Sequence, residues 1–349
     1  MALTEIVARF ATGDDAVLIE PFRGGGGHIN DCHVVTCRGG RGGGGGRFFL
    51  QRLNPTVFPD RRRLMENVAR VTEHVRGELR LVPTREGATF CEDDRGDVWR
   101  LYHFIENTIT RLEATSAADA ELTARAFGAF QRSLAVLPGP RLHETIPGFH
   151  DTPRRVAALE RAVECDAARR AAGARAEVAR VRARRDLASI LVQAAAGGAI
   201  PERIVHNDAK LANVLFDAAS GAVRCVVDLD TVMPGLALFD FGDLVRTLAT
   251  RAAEDERDLG RVRLEPELFA ATAQGFLAAT GDFLTGTERD LLVRAAQVIV
   301  YEQAVRFLTD HLEGDRYYRI ARPGHNLDRC RVQLALLESL LEQESALAL

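Results

Sequence analysis

Lysine is almost missing from this chain. Of its 45 lysine and arginine residues, only Lys210 is a lysine. Arginine can replace lysine wherever a surface charge is enough. A lone survivor therefore raises the question of whether its position needs a compact ammonium in place of a planar fork. A basic excess is missing too. The formal net charge is −4, so no positive field draws the protein to nucleic acid or an anionic membrane, and neither is expected as a partner. No apolar run approaches the ~20 residues that span a bilayer. The first residues, MALTEIVARFATGDD, lack the basic-then-apolar order of a secretory signal. The cysteines (Cys32, Cys37, Cys91, Cys165, Cys225, Cys330) contain no CxxC pair. Neither a zinc site nor a disulfide framework is expected from them. Together these absences predict a cytoplasmic protein with reduced thiols.

At 349 residues the chain is long for one core, and two lobes are expected. Short β-branched or aromatic runs mark strands in the first hundred residues: AVLIEPF, HVVTC, RFFLQRL and VWRLYHFI. The run RGGRGGGGGR at 38–47 lacks the Lys-Ser/Thr of a P-loop. Its glycines at 42–46 read as a loop elaboration without function. An earlier run, RGGGGHIND at 23–31, lies between two predicted strands. It reads either as a plain hairpin or as glycines that bring backbone N–H groups close to phosphates. Leu64, Val68, Val71, Val75 and Leu79 recur at helical spacing. Beyond about 113 helical patterns dominate, including an alanine- and arginine-rich stretch up to a stop at Gly197–Gly198 and a long helix ended by Gly314. The arginine runs read as a solvated helix face. No internal repeat is present.

The lone lysine sits in RIVHNDAKLANVLFD, residues 203–217. A strand, VLFD, is followed by the turn AASG and a second strand, AVRCVVDLD. Such a hairpin brings Asn213 and Asp228 to its open end. Two oxygen donors there suit Mg²⁺, which takes its other ligands from phosphate and water. Asp208 is then an acceptor for a hydroxyl proton, and Lys210 a point charge for a transferring phosphoryl group. The spacing of His206, Asp208, Lys210 and Asn213 matches the HRDxKxxN catalytic loop of kinases, with DLD at 228–230 in the place of DFG.

This segment resembles the aminoglycoside phosphotransferase and choline kinase-like superfamily. GGGHIND, RFFLQRLN, VFPD, LMENV, FHDTP, VHNDAKLANVLFD, VVDLDTVMPGLALFDFGDLVR, RFLTDHLEGDRYY and HNL together resemble the N-acetylhexosamine 1-kinases, from about residue 18 to 340. The resemblance implies an α+β, bilobal protein-kinase-like fold. A small N-terminal lobe, 1–106, has an antiparallel sheet plus a helix, binds nucleotide and ends in a hinge. A larger helical lobe, 107–349, carries the catalytic loop, the metal site and the acceptor site. The implied reaction uses ATP and Mg²⁺ to phosphorylate the anomeric hydroxyl of GlcNAc or GalNAc.

Residue by residue, the resemblance implies Asp208 as catalytic base beside Lys210. Asn213 and Asp228 match the metal ligands. Gly24, Gly25, Gly26 and Gly27 match the loop over the nucleotide phosphates. Phe104 and Glu106 fall in the hinge for adenine. His28, Asp230, Arg306 and Tyr317 match sugar-side positions. Asp240 and Asp243 are expected to hold the backbone of the metal loop. One departure stands out. The β3 lysine that pairs the α/β-phosphates in kinases is absent, and Gln51 or Arg52 occupies its place. Two other readings stay open: a kinase of the same fold acting on another sugar, an aminoglycoside or an amino alcohol, and a silent nucleotide-binding protein.

Overall fold

The computed structural model describes residues 1–13, 16–22, 29–38 and 46–347. The chain opens with α1 (Leu3–Ala8), β1 (Ala16–Pro21), β2 (Asp31–Cys37), β3 (Arg47–Arg52) and α2 (Arg61–Val75). Three strands follow, β4 (Cys91–Glu92), β5 (Val98–His103) and β6 (Thr108–Ile109), and then helices α3 (Ala117–Leu134), α4 (Thr152–Cys165), α5 (Arg175–Arg182) and α6 (Ile190–Ala196). Next come β7 (Arg203–Val205), β8 (Val214–Asp217), β9 (Val223–Val226) and β10 (Met233–Gly235). The chain closes with α7 (Ala237–Leu248), α8 (Pro266–Thr280), α9 (Gly286–Asp290), α10 (Leu292–Glu313) and α11 (His325–Glu342).

These elements divide into two units. Unit 1 comprises 1–112, 136–147 and 212–233. Its main sheet is antiparallel, in the order β1-β2-β3-β5-β4. Alternation sends Val35, Phe48, Leu50, Trp99 and Leu101 to one face, where Ile6, Val7 and Phe10 cover them. The opposite face carries Gln51 across from Arg100 and Phe49 across from Tyr102. Helix α2 starts at Asp60, whose side chain accepts the Arg63 N–H at 3.0 Å, and ends at Arg76 in the left-handed region. A second sheet, β6-β8-β9, contains the hairpin expected between Asn213 and Asp228. Its turn uses Gly221 at φ 71°.

Unit 2 comprises 113–135, 148–211 and 234–349. It is mainly helical, with α10 packed against α4, α7 and α11. Thr152–Pro153 opens α4 behind an Asp151 cap, and Gly314 ends α10 at φ 96°. Helices α3 and α8 approach closely because of two glycines. A Cβ on Gly275 would stand 2.2 Å from the Glu121 carbonyl oxygen, and one on Gly128 would stand 2.9 Å from the Phe276 carbonyl oxygen.

Alanine normally stabilises a helix interior over glycine by ~1 kcal/mol. Here the sign reverses. Gly275→Ala should cost about 1–3 kcal/mol, the range of an overpacked contact. Thermal unfolding measures it, and an unchanged or raised Tm contradicts the close approach.

Candidate active site

The loop after β7 is built around a carboxylate from another element. Asp240, on α7 and fully buried, accepts the backbone N–H groups of His206 at 2.9 Å and Asn207 at 2.7 Å. The Gln131 amide donates to it at 2.6 Å. Burial pushes the Asp240 carboxyl up, and His206 and these donors oppose that push. Asn207 bends the loop with φ 63°. The His206 ring is buried edge-on to Phe127 and Phe130, at 5.1 and 5.9 Å. The partners expected for Asp240 at the metal loop are therefore found at 206–207. Asp243 instead holds Arg246 at 2.8 Å.

This frame presents Asp208. The Lys210 Nζ donates to its Oδ2 at 2.8 Å, and the two side chains keep 28% and 27% of their surface open, so solvent and ligand can reach the pair. An ammonium reaches back two residues without a planar fork to accommodate.

In unit 1 the hairpin does what its length predicts. The Val227 N–H donates to the Asn213 carbonyl at 2.9 Å, which closes the open end and sets Asn213 beside the start of the 228–230 loop. Asp228 is left-handed, at φ 64°. Among the described residues no group of three or more His, Cys, Asp or Glu side chains is arranged to hold a metal. Two hard oxygen donors on a hairpin end still suit a cation that takes its remaining ligands from phosphate and water.

Asp230 is buried and occupied. One carboxylate oxygen is ion-paired to Arg100 and the other accepts from Asn30 at 2.6 Å. The Thr145 hydroxyl holds its carbonyl at 2.8 Å. Gln51 accepts from Arg100 at 3.0 and 2.8 Å and donates to Cys32 Sγ at 3.3 Å. Arg52 bonds Asp31 and, at 3.0 Å, Asp97. The cation on the Gln51 face is thus Arg100, one strand over from the expected lysine. Phe104 lies under Arg47, 4.0 Å from its guanidinium, and Glu106 pairs with Arg47 at 2.8 Å. A cavity of about 490 Å³ borders both. Gly24, Gly25, Gly26, Gly27 and His28 lie outside the described residues.

In unit 2, Arg306 sits among Phe149, Tyr317 and Tyr318, with ring centres 4.6, 5.8 and 5.7 Å away. Asp310 fixes the tyrosine segment through the N–H groups of Arg316, Tyr317 and Tyr318, at 2.8, 2.7 and 2.9 Å.

The chain matches the phosphotransferase enzyme family, the aminoglycoside phosphotransferase type, over residues 25–275. It belongs to that family, and so to the small-molecule phosphotransferases. Its fold is also that of solved members. A spectinomycin phosphotransferase in complex with ADP and spectinomycin aligns with a TM-score of 0.62 at 13% identity, over 97% of this chain and 98% of that one. A microcompartment-associated aminopropanol kinase aligns at 0.60 and 13%, over 99% and 98%. A choline kinase from Streptococcus pneumoniae aligns at 0.56 and 12%, over 94% of each. At such identities the likeness establishes the fold. It is α+β and protein-kinase-like, with an antiparallel-sheet N-terminal region and a helical C-terminal region.

Sequence reasoning missed Arg100. Its signal was a charge inside the otherwise apolar strand VWRLYHF, which a strand buried on both faces keeps only for a partner. Removing that partner is costly. Arg100→Leu should destabilise the protein by about 3–5 kcal/mol by stranding Asp230, and a second change, Asp230→Leu, should recover much of it. Thermal unfolding of the single and double variants checks this. A single-variant loss below about 1 kcal/mol contradicts the pairing.

Proposed function

We propose that this phosphotransferase is an ATP- and Mg²⁺-dependent kinase for the anomeric hydroxyl of an N-acetylhexosamine, giving the sugar 1-phosphate. The observation that carries the reading is the Asp208–Lys210 pair, 2.8 Å apart on a loop held by Asp240. Asp208 accepts the acceptor hydroxyl's proton and aligns its oxygen. Its part is mainly positional, because a loose phosphoryl transition state asks little of a base. Lys210 sets a positive charge where the transferring group gains negative charge. Asn213 and Asp228 hold the magnesium ion, whose chemistry is to neutralise phosphate oxygens. Arg100 and Asn30 fix Asp230, and through it the backbone that carries Asp228.

In the same reading Gly24 to Gly27 cover the phosphates, Gln51 and Arg52 border the nucleotide, and Phe104 and Glu106 flank adenine. His28, Arg306 and Tyr317 serve the sugar. Asp230 enters as the support of the metal loop, since both its carboxylate oxygens are engaged. The sugar itself is supported by the resemblance of DLDTVMPG and LEGDRYY to the N-acetylhexosamine 1-kinases, and by the exposed aromatic ring of Tyr317. Such a face suits a pyranose ring.

ADP release with Mg-ATP, across GlcNAc, GalNAc, glucose, galactose, choline and kanamycin, tests the proposal. A sugar 1-phosphate by phosphorus NMR from either N-acetylhexosamine is the expected product. Turnover confined to choline or kanamycin would keep the family and overturn the substrate. Lys210→Ala should lower kcat more than it raises KM for the sugar. A change confined to KM would move Lys210 into the sugar pocket.

A further inference from the structure

Three stretches that the phosphoryl-transfer loop leaves unused are FHDTP (149–153), LEGDRYY (312–318) and HNL (325–327). In unit 2 the first and third are bonded to α10, and the second is its last turn and the segment that follows. His150 Nδ1 lies 2.8 Å from Glu302 Oε1, and the Thr152 hydroxyl donates to Glu302 Oε2 at 2.6 Å. Asp310 gathers the backbone of 316–318 and the Asn326 amide, the latter at 2.8 Å. The result is a rigid frame of hydrogen bonds around buried acids.

Two guanidinium groups stand in that frame against one ring. Arg155 donates Nε and Nη2 to the Phe149 carbonyl at 3.2 and 2.8 Å, and its centre lies 5.9 Å from the Phe149 ring. Arg306 lies 4.6 Å from the same ring, and its one side-chain hydrogen bond among the described residues goes to Gln303 Oε1 at 3.2 Å. Neither makes an ion pair among the described residues. Glu302, whose charge both feel, already serves His150 and Thr152. Burial, and then Arg306, pull the Arg155 pKa down. Other half-buried arginines of this unit do meet carboxylates, as Arg203 meets Glu288 and Arg331 meets Glu177, both at 2.7 Å.

Burial works against the Arg306 charge, yet Tyr318, Tyr317, Glu302 and Asp243 hold its pKa up. The repulsion therefore falls on Arg155, and an anion bound by both would relieve it. The guanidinium fork matches a carboxylate or phosphate with two parallel bonds. We propose that Arg155 and Arg306 form an anion subsite, and that the acceptor is an N-acetylhexosamine bearing a carboxylate or phosphate group. The substrate class rests on the kinase reading above. The geometric link is His150 Nε2, 3.3 Å from the carbonyl of Asn207, the residue before Asp208. The same pair repels amino alcohols and aminoglycosides.

The test compares N-acetylglucosamine with its 6-phosphate, its 6-carboxylate and its 3-O-carboxyalkyl ether. Calorimetry without nucleotide reads binding, and ADP release reads turnover. At least one acidic sugar should bind about tenfold tighter than the parent at low salt, an advantage that shrinks as salt rises. In Arg155→Gln and in Arg306→Gln the advantage should fall to about twofold or less, whereas Arg306→Lys, which keeps the charge, should retain part of it. Thermal unfolding confirms that each variant folds. If no acidic sugar binds more tightly than the parent, or if the advantage survives in both glutamine variants, the subsite is wrong. An acidic sugar that binds through the arginines but is never phosphorylated leaves the subsite standing and removes the kinase reading.

Discussion

The Asp208 loop depends on one carboxylate kept entirely out of water. Asp240 takes the N–H groups of His206 and Asn207 and the amide of Gln131. Each backbone donor would otherwise be an unsatisfied group in a buried turn, at a cost of about 1–3 kcal/mol. With those bonds made, a left-handed Asn207 becomes tolerable, and the next residue, Asp208, is presented at a fixed angle. The ring of His206 fills the space between Phe127 and Phe130 and so keeps the loop against α3. The motif's histidine also meets Asp208 directly, since its Nδ1 accepts the Asp208 backbone N–H at 3.3 Å.

A second buried charge does similar work for the loop at 228–230. Arg100 crosses from β5 to Asp230 and is itself steadied by Gln51. In a chain with a single lysine, the cation expected on β3 is replaced by a neutral side chain that orients an arginine on the next strand. The arginine's fork can serve Gln51 and Asp230 at once, which an ammonium on β3 would do less well. Lysine persists only where reach is short, between Asp208 and a side chain two residues on.

Much of this architecture was legible in the sequence because it is local. β-Branched and aromatic runs gave four strands of the main sheet but not β4. The apolar spacing from Leu64 gave α2, although the helix stops at Val75, where Arg76 turns left-handed, and leaves out the expected Leu79. The Gly221 turn set the hairpin that brings Asn213 to the 228 loop. The breaks in the alanine- and arginine-rich stretch were read over: Gly173 lies at one of them, inside the short turn between α4 and α5, and a lone glycine among alanines is a weak stop signal. There Asp166 turns left-handed at φ 41° and caps the N–H groups of Arg170 and Ala171, splitting α4 from α5. The Arg100–Asp230 pair joins residues 130 apart in sequence, and the Asp240–His206 contact joins residues 34 apart. Composition and periodicity carry no record of such partners. The only trace was a polar residue where an apolar one was due.

Phosphoryl transfer at the Asp208 loop, as proposed above, turns on one carboxylate. The most direct measurement is turnover of Asp208→Asn beside its ATP affinity, with the acceptor that wild type uses best. A fall in kcat of about 10²–10⁴-fold is expected, with nucleotide affinity kept within about threefold. Turnover close to wild type would contradict it, because the carboxylate that the whole loop is built to present would then not take part in the reaction.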